Sequence, residues 1–227
     1  ADARPVGRSI VTSARDRILG RVRTALGRDG PLAAAAAGPL HAHLAQRPAG
    51  PRPPGNWEPV TRFRERAPAL MFSVDGIETL ASLPHAVARY LAGANLPRSV
   101  VVWPEFGALG WSSAGIAAQA RKATGSDPVG VTGTFCAIAE TGTLAQLSAP
   151  NRPAATSLLS ETHIAIVRTT RIVNGMEEAW ALVRSECGAL PRAVNFISGP
   201  SRTADIEQTL VLGAHGPYRV HIILLQG

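Results

Sequence analysis

The chain has 227 residues, of which 45% are hydrophobic, and a formal net charge of +7. This length and composition suit one domain of moderate size with an appendage, and they exclude a chain that is disordered overall. Lys122 is the only lysine, so the positive charge comes from scattered arginines, which do not define a nucleic-acid surface. Cys136 and Cys187 lie far apart without metal-ligand spacing. We therefore expect buried thiols and no metal site in this chain.

The hydropathy pattern indicates where in the cell the protein is located. No apolar run approaches the ~20 residues that a membrane span needs. The opening segment, residues 1–17, lacks the apolar centre of a secretion signal. We therefore expect a cytoplasmic protein with no membrane span.

The first 55 residues differ from the rest. Ser13 is placed to cap a helix in which apolar residues recur at helical spacing and arginines cover the other side; the apolar residues are Ile18, Leu19, Val22 and Leu26. This apolar face could dock on its own domain, on a second subunit or on an anionic surface, and the first two are the commoner outcomes. Residues 47–55 are rich in proline and glycine and predict a linker. The sequence thus predicts a helical appendage and linker over 1–55, a domain over 56–227, and a possible homo-oligomer.

From Trp57 onward, helical and strand patterns alternate. A helix is predicted from Trp57 to Arg66, ending near Pro68, and two more over 78–92 and 176–187, the last capped by Asn174. Short, apolar segments predict strands over 69–74, 99–103, 129–132, 143–148, 163–167, 193–198 and 219–225. Apolar strands that alternate with helices indicate an α/β fold with a mostly parallel sheet flanked by helices on both faces.

The stretch from Gly199 to Glu207 follows one of these strands. The Gly-Pro pair ends the strand, and Ser201 or Thr203 is then placed to cap a new helix. Arg202 would be a cation at the positive end of that helix, which is unfavourable unless an anion binds there with the free N–H groups. The alternative is an arginine paired with Asp205, Glu207 or another carboxylate.

A second candidate site is the segment Glu140-Thr141-Gly142-Thr143. In a structural interpretation, Glu140 accepts hydrogen bonds from Thr141, Thr143 and backbone N–H groups, which would lower its pKa. In a chemical interpretation, Glu140 is a nucleophile or general base at the end of a strand. His163 and His215 are its candidate partners. His163 lies at the edge of an apolar strand, which favours a structural role, whereas turn residues flank His215, which suits a site better.

These motifs together resemble a known family. The segments that carry the resemblance are Glu140 to Leu144, Thr156 to Leu159 ahead of His163-Ile164, Gly199 to Glu207, and Leu212 to Pro217. In order and spacing they are similar to the LUD-domain family, and within it to the lactate-utilisation protein C branch. The resemblance runs from about Ala69 to Leu225, and residues 1–67 lie outside it.

The resemblance implies an α/β fold similar to the ribose-phosphate isomerase and CoA-transferase superfamily. It also implies a role in oxidising L-lactate to pyruvate with two partner proteins that carry iron–sulfur clusters, while this chain itself carries no cofactor. The chain departs from many relatives at Phe135, where an acidic residue is common beside the Glu-Thr-Gly-Thr motif. This departure weakens the case for catalysis by the chain itself.

Three classes of function stay open. The favoured one is a non-redox subunit of a lactate-oxidising complex, which binds a small carboxylate or phosphate; the predicted site residues are Glu140, Thr141, Gly142, Thr143, Ser201, Arg202, Thr203 and His215. The alternative is a stand-alone enzyme on a CoA ester or sugar phosphate, with Glu140 as the catalytic nucleophile. The sequence contains no glycine-rich phosphate loop of the kind that would predict a nucleotide cofactor. A nucleic-acid binder is the third class, and its binding would depend on salt.

Overall fold

The computed structural model describes residues 13–28, 34–48, 50–52, 55–206 and 209–226. The chain divides into two compact units, residues 1–52 and residues 53–227. Independent folding of the two parts stays a prediction. No helix in the described ranges is long and apolar enough to cross a membrane.

The first unit contains two helices, α1 (Ala14–Ala25) and α2 (Ala34–Gln46). Ser13 caps α1 as predicted, because its hydroxyl oxygen accepts a hydrogen bond from the Asp16 N–H at 3.1 Å. The apolar side chains Ile18, Val22 and Leu26 are all exposed. These three side chains therefore form an exposed apolar face on α1, as predicted.

The described residues of the second unit form four helices and twelve strands. In chain order they are α3 (Pro59–Ala69), β1 (Phe72–Ile77), α4 (Leu83–Gly93), β2 (Ser99–Val102), β3 (Ala117–Ala120), β4 (Val129–Gly133), β5 (Cys136–Ile138), β6 (Thr143–Leu147), α5 (Ala155–Leu158), β7 (Thr162–Arg168), β8 (Ile172–Val173), α6 (Met176–Glu186), β9 (Val194–Ile197), β10 (Arg202–Ile206), β11 (Thr209–Leu212) and β12 (Arg219–Leu225). Short 3-10 turns precede α4 and follow β2.

Six strands form the central sheet in the order β1-β12-β7-β4-β2-β3, and all of its pairings are parallel. Helix α4 packs on one face through Leu83, Val87 and Leu91. The other face is covered by α3 and by a four-stranded sheet of order β8-β5-β6-β9. The predicted mostly parallel sheet flanked by helices is confirmed, with the second sheet as an addition on one face.

The first strand begins later than predicted. Helix α3 runs through Pro68 to Ala69, and β1 starts at Phe72 rather than at Ala69. The last turn of α3 is retained because Ala67 is fully buried and the N–H groups of Leu70 and Met71 donate to the carbonyls of Ala67 and Pro68. Buried packing therefore outweighs the proline at this position.

The predicted helix after Gly199 is wrong, because residues 202–206 form strand β10, which pairs antiparallel with β11. Backbone hydrogen bonds between Ser201 and the loop of residues 213–217 explain why the chain is extended here. The Ser201 N–H donates to the Pro217 carbonyl, and the Gly213 N–H donates to the Ser201 carbonyl, both at 2.9 Å. Arg202 is thus not at a helix N-terminus, and the argument for an anion beside free helical N–H groups does not hold.

Helix α6 starts as predicted, but its cap is Gly175 rather than Asn174. The Gly175 N–H donates to the Glu178 carboxylate at 2.9 Å, while the Asn174 carbonyl accepts from the Glu140 N–H. Asn174 therefore contributes a backbone hydrogen bond to Glu140 and does not cap the helix.

Candidate functional site

The Glu140–Thr143 segment is the turn between the antiparallel strands β5 and β6. Gly142 has a φ of +74°, and its N–H donates to the Ile138 carbonyl at 2.9 Å. A Cβ at this position would lie 3.1 Å from the Arg66 Cβ. The glycine is therefore required by the turn and by the close approach of α3.

Glu140 lies at the N-terminus of α6. A Cβ built on Gly175 would be 3.3 Å from the Glu140 Oε2, so the carboxylate sits beside the residue that caps the helix. The predicted hydrogen bonds from Thr141 and Thr143 are not made, because these hydroxyls bond to each other and to Ser198 instead, each at 2.8 Å. An acidic side chain is stabilised by the positive end of a helix dipole, which fits the structural interpretation of Glu140, and its catalytic role stays a prediction.

The predicted Ser201, Arg202, Thr203 and His215 lie in or beside the β10–β11 hairpin. Arg202 is exposed opposite Leu212. Ser201 is in close contact with the loop that carries His215, since a Cβ on Gly216 would lie 3.2 Å from the Ser201 Cβ. Among the described residues, no hydrogen bond or ion pair joins Glu140 to Arg202 or to His215. The structure thus brings together Ser201 and the His215 loop, while the Glu140 carboxylate lies beside Gly175 at the start of α6.

His215 lines an open cavity of about 540 Å³ at the amino ends of β4 and β7. Two carboxylates also line it, and each is bound by an arginine. Asp127 accepts two hydrogen bonds from Arg121, at 2.6 and 2.8 Å, and another from the Thr124 N–H. The Arg121 guanidinium holds the pKa of Asp127 well below its usual range. Glu161 pairs with Arg219 at 3.3 Å. These charges are neutralised within the fold.

His163, the other candidate partner of Glu140, is fully buried between the two sheets. Its Nε2 lies 2.8 Å from the Thr132 hydroxyl, and the Gln146 amide donates to the same hydroxyl at 2.6 Å. Burial lowers the pKa of His163 to about 3, so the ring is neutral near pH 7. It takes the structural role that its place in an apolar strand predicts.

A second cavity lies at the carboxyl ends of the parallel strands. Strand β2 continues outward to the edge strand β3, whereas β4 continues in the opposite direction to β7, so the chain changes direction between the adjacent strands β2 and β4. In open α/β sheets, ligands bind in the crevice at this switch point. The cavity here is lined by residues that end or follow β2, β4, β7 and β12, and its volume is about 180 Å³.

The lining of this switch-point cavity has a polar and an apolar part. The polar part consists of Glu105, Thr134, Arg152 and Arg168, and the apolar part of Leu80, Trp103, Phe106, Phe135, Leu147, Ile166 and Leu225. Gly133 completes the wall, and a Cβ there would lie 3.2 Å from the Glu105 Oε1. The glycine therefore allows the glutamate side chain to lie against the end of β4.

The charges of the switch-point cavity are not matched. Arg152 and Glu105 form an ion pair at 3.6 Å, while Arg168 makes no hydrogen bond or ion pair with any residue that the structure describes. The Arg152 Nε is buried and likewise has no partner in the described ranges. Trp103 holds the loop that carries Arg152 by donating from its indole N–H to the Pro153 carbonyl at 3.2 Å. Two guanidinium groups and one carboxylate leave an excess positive charge that suits an anion.

The site residues predicted from the sequence do not include Glu105, Arg152 or Arg168. A partial signal existed for two of them, because Glu105 closely follows the apolar strand β2 and Arg168 is the last residue of β7. A charged residue at the carboxyl end of a buried parallel strand is typical of sites in α/β proteins. Arg152 is in a loop between β6 and α5, and nothing local marks it.

In the part of the chain that the structure describes, no group of three or more His, Cys, Asp or Glu side chains is placed to hold a metal ion. Cys136 is buried, and its burial raises the pKa of the thiol to about 11. Cys187 is half-buried rather than fully buried as expected.

The parallel sheet, its two covered faces and the arginine-lined cavity at the switch point define an α/β protein with a positively charged cavity at the carboxyl ends of its strands. Comparison with known proteins places the chain more closely: the family model for the LUD domain matches residues 79–225, and the chain belongs to the LUD-domain family. The resemblance seen in the sequence is thus confirmed.

Individual relatives agree with this assignment. The chain is 40% identical over 118 residues to lactate utilization protein C of Exiguobacterium sp., which covers 51% of each chain. It is 35% identical over 127 residues to lactate utilization protein C of Bacillus subtilis, covering 54% of this chain and 53% of that one. The chain spans about half the length of the curated relatives it matches. A crystal structure of a DUF162 family protein from Deinococcus radiodurans is similar with a TM-score of 0.56 and 26% identity, over 73% of this chain and 95% of that one.

Proposed function

We propose that the chain takes part in lactate utilisation as a non-redox subunit, and that it binds a small carboxylate such as lactate or pyruvate in the switch-point cavity. The observation that carries the proposal is the pair of arginines, Arg152 and Arg168, that face one carboxylate, Glu105, at the carboxyl ends of the strands. The names of the relatives supply the metabolic context.

The size of the cavity supports a small ligand. Drug-sized ligands occupy pockets of roughly 300–1,000 Å³, whereas this cavity measures about 180 Å³. Its buried apolar part, which includes Trp103, Phe106 and Ile166, suits a short carbon chain next to the charged group. A planar guanidinium can hold a carboxylate with two parallel hydrogen bonds, which supports Arg168 as the group that binds it.

Oxidation of lactate requires an electron acceptor, which we assign to iron–sulfur partner proteins. Iron–sulfur clusters are held by several cysteine thiolates, and the 227 residues include only two cysteines, with the pKa of one raised to about 11 by burial. This donor set does not suit a cluster. In the proposed complex, the chain would bind and orient the carboxylate while its partners accept the electrons.

Calorimetric titration of the full chain with L-lactate and pyruvate tests the binding, with sulfate and acetate as comparison anions. We expect both three-carbon acids to bind more tightly than either comparison anion. Purification of the native complex, with mass spectrometry of the partner chains, tests the assembly. Equal binding of all four anions, or recovery of a CoA ester or sugar phosphate instead, would contradict the proposal and favour the stand-alone enzyme.

A further inference from the structure

One part of the cavity wall is built differently from the rest. Most of its apolar side chains, such as Trp103 and Leu225, are buried in the main core. Phe135 is only half-buried and lies just beyond the end of β4. Its other side packs against the small cluster formed by Cys136, Ile138, Ala145 and Ala179. Phe135 thus separates the switch-point cavity from the second sheet and α6.

Arg171 holds Phe135 in place by two contacts. Its guanidinium carbon lies 4.7 Å from the centre of the Phe135 ring, and its Nε donates to the Phe135 carbonyl at 3.0 Å. The remaining donors of the guanidinium are bound by Glu186 at the end of α6, at 2.6 and 3.0 Å. A bidentate pair of this kind fixes the plane of the arginine. The Arg171–Glu186 pair therefore connects the Phe135 ring, at the wall of the cavity, to the end of α6.

We propose that Phe135 determines the length of the carboxylate that the cavity accepts, and that Arg171 is the residue that positions Phe135. The inference rests on the proposed function, because it assigns selectivity to the same cavity. The ligand class is short 2-hydroxy and 2-oxo acids, with longer side chains excluded by the phenyl ring. Leu80, the other half-buried apolar residue of the wall, packs against the main core. The Phe135 ring is therefore the boundary whose removal would lengthen the cavity.

The experiment measures the affinity of the full chain for a series of straight-chain 2-hydroxy acids, from lactate to 2-hydroxyhexanoate. We expect wild type to bind lactate best and the longest acid at least about tenfold more weakly. In Phe135→Ala, each added methylene that finds room should strengthen binding by up to about fourfold, which corresponds to the roughly 0.8 kcal/mol contributed by burial of one methylene. Lactate affinity should change by less than about threefold.

Arg171→Ala should shift the length preference in the same direction as Phe135→Ala, but less. The matched control is Arg219→Ala, because Arg219 also lies over an aromatic ring, that of Tyr218 at 4.8 Å, and pairs with a glutamate. It belongs to the opposite end of the sheet, so the control should keep the wild-type length preference. General destabilisation would weaken all acids alike, whereas a positioning role changes their relative affinities.

Phe135→Leu and Phe135→Trp extend the test if Phe135→Ala folds poorly. The leucine should relax the length limit, and the tryptophan should exclude 2-hydroxybutyrate while lactate still binds. An unchanged length preference in the Phe135 variants, with lactate bound normally, would overturn the inference and leave the proposed function intact. If wild type bound none of these acids, both would fail.

Discussion

The two ends of the central sheet both carry a cavity and charged side chains, but they use these charges differently. At the amino ends, Asp127 and Glu161 are each bound by an arginine. At the carboxyl ends, two arginines face the single carboxylate of Glu105. Charges that neutralise each other contribute to the fold, whereas an excess of one sign around a small cavity is available for a ligand. The comparison shows that the smaller cavity, of about 180 Å³, carries the unbalanced charge, whereas the charges at the larger one, of about 540 Å³, are matched.

The first prediction concerns the amino end. Asp127→Ala removes two charge-assisted hydrogen bonds from Arg121 and one from the Thr124 N–H around a carboxylate that is 10% exposed. We expect a loss of about 1.5–3 kcal/mol in the free energy of unfolding, the range for hydrogen bonds to charged groups. Urea denaturation measures it.

Asp75→Ala is the control, because its pair with Arg89 is exposed on both sides and should contribute less than about 1 kcal/mol. Carboxylate binding should not change in either variant. If Asp127→Ala abolished binding without loss of stability, the ligand would belong to the amino end.

The second prediction concerns the carboxyl end. Arg168→Ala should weaken carboxylate binding by about 1.5–3 kcal/mol, with little effect on stability, because Arg168 is exposed and unpaired within the described chain. Arg168→Lys should recover only part of the affinity, since an ammonium cannot reproduce the two parallel hydrogen bonds. Calorimetric titration with L-lactate measures both.

Arg202→Ala is the companion variant, because the sequence placed an anion at Arg202. We expect wild-type affinity in this variant. Loss of binding in Arg202→Ala, with normal binding in Arg168→Ala, would move the site to the β10–β11 hairpin.

The third prediction concerns the buried core between the two ends. The folded state resists protonation of His163 down to about pH 3, whereas the unfolded chain binds this proton below its usual pKa of 6.5. The free energy of unfolding should therefore fall as the pH is lowered from 6.5 toward 3, by up to about 1.4 kcal/mol per pH unit for this group. Burial also lowers the pKa of His221 to about 4, which adds to the effect over most of this range.

His163→Gln should reduce this slope by about one proton between pH 6 and pH 4, as measured by urea denaturation at each pH. His85→Gln, at an exposed position on α4, is the control and should keep the wild-type slope. An unchanged slope in His163→Gln would show that the folded protein accepts the proton on this ring.

A smaller effect is expected for Glu140→Gln, which tests whether the Glu-Thr-Gly-Thr turn is structural like the amino end. Loss of a charge at the N-terminus of α6 should lower the free energy of unfolding by about 0.3–1 kcal/mol, with carboxylate binding unchanged. Thermal or urea unfolding together with titration measures both. A fall of orders of magnitude in the activity of the complex, at unchanged stability, would make Glu140 a catalytic residue.

The smallest effect on the site is expected from removal of the first 55 residues. A chain that begins at Asn56 should unfold cooperatively and bind the carboxylate as the full chain does. Self-association or partner binding through Ile18, Val22 and Leu26 should be lost, as light scattering and pull-down with the partner proteins would show. An insoluble or molten product would mean that the first 55 residues complete the core.

Much of the fold could be predicted because it depends on local patterns. The apolar β-branched segment Ser99–Val102 and the amphipathic helix Met176–Glu186 are found where the sequence places them. The segment Arg202–Ile206 could not be predicted locally, since its residues suit a helix start and its extended form depends on the hydrogen bonds that Ser201 makes with residues 213 and 217. Tertiary contacts override propensity in such short segments.

By itself, the sequence determined the alternation of strands and helices, the cap at Ser13 and the motifs of the LUD-domain family, because these depend on neighbouring residues. Only the tertiary structure decided the strand order, and with it the meeting of Glu105, Arg152 and Arg168 at one cavity. These three residues are separated by up to 63 positions (168 − 105), and no local spacing relates them. They come together because parallel strands bring their carboxyl ends to the same edge of a sheet, a long-range arrangement that burial of both faces imposes on the whole domain.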